Sequence, residues 1–343
     1  MNREEIIKQI ERVAEKTFEV DMQWDWSAGV AFYGVACAYE ATGNKKYLDL
    51  LKSWIDNYLE VDGLPDFTVN SIAMGHCLIT LYEAVQEEKY LEIIRKKTEY
   101  LKNDAIRFAD GVLQHTVTQN YNFDKQAWAD TLFMAGYFLI RAGRLLDDEE
   151  SYRDGLNQFH WHIEYLFDDE NYLFYHGYDD NSKSNMSGVH WARANAWCLL
   201  TMACVGSYAD AFEPVFVEII DTLRDCISKV VKLQAEDGMW HTVIDADDCY
   251  TETSAAAGIA CAIMKYNSLT GITRYTECLK KAYVGLTSRI RADGRVTGVS
   301  GGTAVMRTEE DYKRIPCKAM QGWGQGLMLA YLAELLNSAA EEQ

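Results

Sequence analysis

Proline is almost missing from this chain, with three in 343 residues. A chain with so few helix breakers can run long helices without interruption. Ser-, Gly- or Pro-rich stretches that would separate two halves are also missing, so one domain spanning residues 1–343 is expected. Positive charge is in short supply too. Thirty-three Lys and Arg face 52 Asp and Glu, a net charge of −19, which argues against nucleic acid or an anionic membrane surface as partner. The same deficit would steer an acidic substrate away at long range, so such a substrate needs a local cation. No run is apolar and long enough to span a bilayer, and the N-terminal MNREEIIKQIERVAEKTFEV reads as an amphipathic helix, not a signal peptide. The nine cysteines form no CxxC pair and lie mostly in apolar stretches, as reduced thiols do. A cytoplasmic location is expected.

What is present is a sixfold repeat. Segments rich in small and aromatic residues recur at 26–41, 70–85, 127–145, 191–207, 252–269 and 318–338, among them GVAFYGVACAYE and AAAGIACAIMKY. They are apolar nearly all the way round, the pattern of a helix buried on every side. A charged amphipathic helix follows most of them. The sixth has none after it, and the first helix, 3–18, has none before it. Pairing these two closes a ring, which predicts an all-α (α/α)6 barrel. An open solenoid would need polar end caps that the chain does not show.

The loops entering the buried helices are the longer ones, often opening with Asp-Gly, as in DGLPDFT, DGVLQHTV and DGMWHTVID. They share one rim. On it fall seven of the nine Trp, interleaved with charged and amide groups, and aromatic faces beside polar groups suit sugars. Trp26, Asn70, His115, Trp128, Asp130, His176, Trp191, Arg193, Trp197 and Trp240 are the rim's candidate site residues. Asp130 opens a strongly apolar helix in WADTLFMAG, where the helix N-terminus lowers a carboxyl's pKa and apolar surroundings raise it; that balance suits an acid/base, although a plain N-cap has the same sequence. Arg193, in HWARANAW, lies one turn before Trp197, pointing either at a substrate carboxylate or at a structural partner. His115, His176 and His241 hold matching places in three loops, without the carboxylate or Cys spacing of a metal site. His160 and His162 point apart on an outer helix, and GWGQG (322–326) reads as close helix packing.

WADTLFMAG, the downstream His176 loop and HWARANAW together resemble the unsaturated glucuronyl and rhamnogalacturonyl hydrolases of glycoside hydrolase family 105 and, more distantly, family 88. The resemblance extends over nearly the whole chain, through DGMWHTVID, ETSAAAG and GWGQG. It implies hydration of the C4=C5 double bond in a lyase-generated uronic acid at the non-reducing end of a small acidic oligosaccharide. In that scheme Asp130 protonates C4 and activates the water that adds at C5. His176 is the active-site histidine, Arg193 and Trp197 hold the uronate, Trp191 and His115 line the pocket, and neither metal nor organic cofactor is needed. A rhamnogalacturonyl substrate from pectin is the leading expectation. Two departures stand out: Asn70 replaces an acidic residue found in many relatives, with Asp66 nearby, and the loop after His115 is long.

Three rival readings remain at this point. A sugar 2-epimerase would exchange a proton between His176 and His241. An inverting glycosidase would use two of Asp25, Asp130 and Glu252. A non-catalytic carbohydrate-binding protein would bind sugar without turnover.

Overall fold

The computed structural model describes residues 2–118 and 122–341, so Gln119, Asn120 and Tyr121 of the long loop after His115 lie outside the described residues. The chain runs α1 (Arg3–Thr17), α2 (Trp26–Thr42), α3 (Lys45–Val61), a 3-10 turn (Asn70–Met74), α4 (Gly75–Val85) and α5 (Glu88–Asn103). Strands β1 (Arg107–Phe108), β2 (Val112–Leu113) and β3 (Gln126–Trp128) precede a π-helical turn (Leu132–Gly136) that leads into α6 (Tyr137–Leu146). Then follow α7 (Glu149–Leu166), β4 (Phe167–Asp168), β5 (Leu173–Phe174), β6 (Gly177–Asp179), α8 (Ala192–Val205) and α9 (Pro214–Val230). The chain ends with α10 (Thr253–Thr270), α11 (Thr276–Ser288), the short α12 (Glu309–Lys313) and α13 (Gly322–Glu341).

The inner ring is α2, α4, α6, α8, α10 and α13, each packed on the next, and α13 returns onto α2 to close it. The outer helices α3, α5, α7, α9 and α11 pack outside, with α1 against α13 as the pairing of chain ends predicts. This is the expected (α/α)6 toroid. Every residue of α8 is buried, and so are Thr253–Met264 of α10, which is why their sequences carry no polar face. Closure needs two glycines. A Cβ on Gly34 would come within 2.1 Å of Gly326 O, and one on Gly326 within 2.0 Å of Val30 O, so α2 and α13 meet backbone to backbone. That is the packing role expected of GWGQG.

The rim loops are not merely extended. β1 pairs with β2 and β4 with β5 as tight antiparallel hairpins, the first turning at Gly111 with φ 121°. The third pair is non-local. β3 runs antiparallel to β6 with Trp128 opposite Gly177, and Ala129 N donates to His176 O at 3.0 Å. Two loops far apart in sequence, with Trp128 facing Gly177, are thereby stitched together next to Asp130 and His176. No helix among the described residues is long and apolar enough to cross a membrane.

Candidate active site

One residue after β3, Asp130 opens the helix whose next turn is π-helical. A π turn inserts an extra residue into the ladder and re-aims the side chains before it, a feature that often occurs at functional sites. The Asp130 side chain is 14% exposed and reaches the floor of a cavity of about 280 Å³. Its neighbours there are Trp26, Asn70, His115, Trp128, Trp191 and Arg193, joined by Phe123 and residues 302–304. Among the described residues Asp130 is the one carboxylate on this wall.

His176 Nε2 stands 3.2 Å from Asp130 Oδ2, close enough for an ion pair but without hydrogen-bond alignment, and both atoms are buried without another partner. His176 is held by packing against Trp191 (centroids 4.3 Å apart) and by Tyr312 OH, 2.7 Å from Nδ1. It sits behind Asp130, not on the cavity surface. Its strand is pinned in turn by Asn195, whose amide accepts from Phe174 N at 2.8 Å and donates to Phe174 O at 2.9 Å. His115 Nδ1 contacts Thr131 Oγ1 at 2.9 Å, and its ring stacks on Trp128 at 4.3 Å. Burial pulls the His115 imidazole down to about 4, against an opposing pull from Asp130, so it is neutral at pH 7.

Burial also pushes the Asp130 carboxyl up, but His176, His115 and Arg193 outweigh it and hold the group below the ordinary carboxylate range. The empty site therefore presents a carboxylate, not the near-neutral acid expected from helix end and apolar surroundings alone.

Arg193 is tied more firmly than expected. Nη1 donates to Ser300 Oγ at 2.7 Å, with Ser300 O and Ser254 Oγ at 3.2 and 3.3 Å, and Nη2 donates to Gly301 O at 2.7 Å. Glu252 Oε1 lies 3.6 Å away, and the guanidinium stacks over Trp191 at 4.3 Å. Of the two roles open to Arg193, these contacts give it the structural one, while its place on the cavity wall lends that wall its positive charge. The local cation that an acidic substrate needs is present, with both Nη groups already engaged.

Two expected site residues belong to the core. Trp240 is fully buried, and its indole N–H donates to Val230 O at 2.7 Å, on the way out to α9. Trp197 is likewise fully buried, packed on Phe133 at 4.9 Å, one turn below the cavity. Neither lines the pocket. Trp240→Phe is therefore expected to lower stability by about 1–2 kcal/mol for the lost hydrogen bond and contacts. KM should not move; a KM rise of fivefold or more with unchanged melting temperature would return Trp240 to the site.

Asn70 does line the cavity, with Oδ1 buried and unpartnered. Its turn is held from outside by the buried Lys97, which donates to Ser71 O at 2.9 Å. Asp66 is exposed and off the cavity, so it does not replace the acid that Asn70 lacks. The rivals lose their second groups in the same way. Asp25 caps α2 through Trp26 N, and Glu252 is fully buried, capping α10 through Ala255 N at 2.6 Å. His241 turns to Cys249 O at 2.6 Å in a separate groove.

Sequence reading missed Tyr312, Phe123 and the 300–304 segment. Tyr312 carries no motif and lies 136 residues from His176. TGVSGGT (297–303) carries no recognised motif, yet its Ser300 and Gly301 supply the acceptors that Arg193 grips.

The model of the glycosyl hydrolase family 88 matches residues 1–339. A curated relative from Bacillus subtilis strain 168, the unsaturated rhamnogalacturonyl hydrolase YesR, is 45% identical over 338 residues, covering 98% of this chain and 96% of its own. An unsaturated 3S-rhamnoglycuronyl hydrolase from Formosa agariphila is 24% identical over 79% of this chain and 75% of its own. Among solved structures, a possible member of the GH105 family from Salmonella enterica serovar Paratyphi A superposes with a TM-score of 0.94 at 26% identity, covering 99% of this chain and 95% of that one.

Proposed function

The chain belongs to glycosyl hydrolase family 88 and is a glycoside hydrolase, and from that premise we propose that it removes a 4,5-unsaturated uronic acid from a short oligosaccharide, by hydration of the C4=C5 bond with Asp130 as proton donor and base. The observation that carries this reading is that, among the described residues, Asp130 is the one carboxylate on the cavity wall, with Oδ2 lacking a hydrogen-bond partner. Hydrolysis at the anomeric carbon needs two carboxyl groups at a set separation. Hydration of an enol ether needs one group to deliver a proton to C4, then to take one from the water that adds at C5. The adduct is a hemiketal. It opens to a C5 ketone, and the C1 hemiacetal left behind releases the aglycone alcohol. Trp128 and Trp191 offer faces to the flat unsaturated ring, and Trp26, stacked on Trp323 at 4.4 Å, extends the aromatic wall.

The rhamnogalacturonyl substrate of the Bacillus relative is the substrate we assign first, which makes pectin-derived disaccharides the fragments to test, in a cytoplasmic setting. The assay is loss of the ultraviolet absorbance of the conjugated uronate with lyase-generated rhamnogalacturonan, pectin and glycosaminoglycan disaccharides. Turnover of the rhamnogalacturonan disaccharide at ten times or more the kcat/KM of the others is expected. No loss on any of them would refute the assignment.

Asp130 must be protonated to act, yet the empty site holds it as a carboxylate. The uronate carboxylate, bonded to C5, brings a second negative charge beside it and displaces water, and both effects raise its pKa. The complex then binds more protons than the free enzyme, so affinity rises as pH falls across the window between the two pKa values. Calorimetry of a saturated uronyl disaccharide near pH 6, in two buffers of different ionisation heat, should report net proton uptake that Asp130→Asn removes. Identical heats in both buffers would contradict it.

A further inference from the structure

Tyr312 has no part in the chemistry above, yet it is fully buried against the catalytic pair. It sits in α12, a single turn started by a reciprocal cap in which Thr308 Oγ1 accepts from Asp311 N while Thr308 N donates to Asp311 Oδ2 at 3.1 Å. The capped turn delivers the ring to within 5.7 Å of His176 and 6.1 Å of Trp191. The phenol oxygen accepts from Met306 N at 3.1 Å and contacts His176 Nδ1 at 2.7 Å. A backbone N–H can only donate. Of the two partners placed on the phenol oxygen, His176 Nδ1 is the one that can accept the phenol's own hydrogen, and a buried O–H without an acceptor is costly.

We propose that Tyr312 is a positioning residue that fixes the tautomer of His176, with Nδ1 accepting from the phenol and Nε2 carrying the proton toward Asp130. This rests on the reading of Asp130 as the proton carrier and deepens it. With Nδ1 occupied, the ring has no place for a second proton unless the phenol turns away. Nε2 then carries the ring proton on the side of Asp130, 3.2 Å from Oδ2, and the proton delivered to C4 comes from Asp130. The segment that follows α11 thus completes the site twice, through Ser300 and Gly301 on Arg193 and through Tyr312 on His176.

The test is long-range ¹H–¹⁵N NMR of the histidine rings in ligand-free, full-length enzyme, with His176 assigned by its loss in His176→Gln. A pattern with the proton on Nε2 and a lone pair on Nδ1 is expected. A proton on Nδ1, or on both nitrogens, overturns the proposal, and the wild-type spectrum alone decides this. Tyr312→Phe keeps the ring and removes the hydroxyl. It should mix the two tautomers and lower kcat about tenfold, equivalent to about 1.4 kcal/mol, with KM within about twofold. An unchanged His176 pattern with kcat within about twofold of wild type also overturns it. The spectrum needs no substrate, so it stands or falls apart from whether any unsaturated uronide is turned over.

Discussion

Asp130→Asn is expected to lower kcat by at least about 10³-fold while leaving the protein folded and KM within a few-fold of wild type, because the one group asked to give and take a proton is gone. Asparagine matches aspartate in size, so the cavity floor keeps its shape. The neighbours tolerate the change: His176 Nε2 at 3.2 Å meets an amide oxygen in place of a carboxylate, and no cation is left without its counter-charge, since Arg193 is served by Glu252 and the Ser300 loop. Small external nucleophiles such as azide should not restore activity. They replace a missing base or nucleophile at an anomeric carbon, but they do not supply a proton to C4. A loss of tenfold or less, or azide rescue, would mean that another group does the work.

Arg193→Met is expected to be the most destabilising single change at the site. Glu252 is fully buried, and its nearest cation is the Arg193 guanidinium at 3.6 Å. Removing one partner of such a pair leaves an uncompensated buried charge, which typically costs about 3–5 kcal/mol. The carbonyls of Ser300 and Gly301 each lose one donor at the same time, keeping only Trp323 Nε1 and Thr303 Oγ1. The wall at 302–304 depends on that grip, so activity should fall together with the melting temperature. Adding Glu252→Gln to Arg193→Met removes the stranded charge and, since Ala255 N and Ser300 N meet different carboxylate oxygens, keeps an acceptor for one of the two, so it should recover part of the lost stability. If Arg193→Met melts within a degree or two of wild type, the clamp is not the anchor described here.

The inner helices were legible because a helix buried all round has a composition of its own, small and apolar with no polar stripe, and α8 and α10 show it directly. That same uniformity hid the site. With no polar face, spacing along α8 does not reveal which side meets the cavity, so Trp197 read like a rim residue, and Trp240, in a rim loop, read like Trp128 and Trp191 although only the latter two line it. Asp130, Asn70 and His115 were legible because a charged, amide or imidazole group at the head of an apolar helix or in a rim loop demands a reason. The partners of Arg193 and His176 were not. Ser300 is 107 residues from Arg193, and the β3–β6 pairing and the π turn that aims Asp130 arise only from ring closure.

Absorbance loss alone does not separate the two chemistries, because an unsaturated uronic acid freed by cleavage at C1 also rearranges to a ketone. A thioglycoside does separate them. Sulfur is a poor proton acceptor, so acid-assisted cleavage of the C1–S bond fails, whereas hydration at C4=C5 never protonates that atom. The decisive measurement is therefore the rate on matched O- and S-linked unsaturated uronides of the preferred aglycone. Hydration by Asp130 predicts kcat values within about tenfold of each other, both abolished in Asp130→Asn. A sulfur-linked substrate that stays intact while its oxygen counterpart is consumed would contradict it.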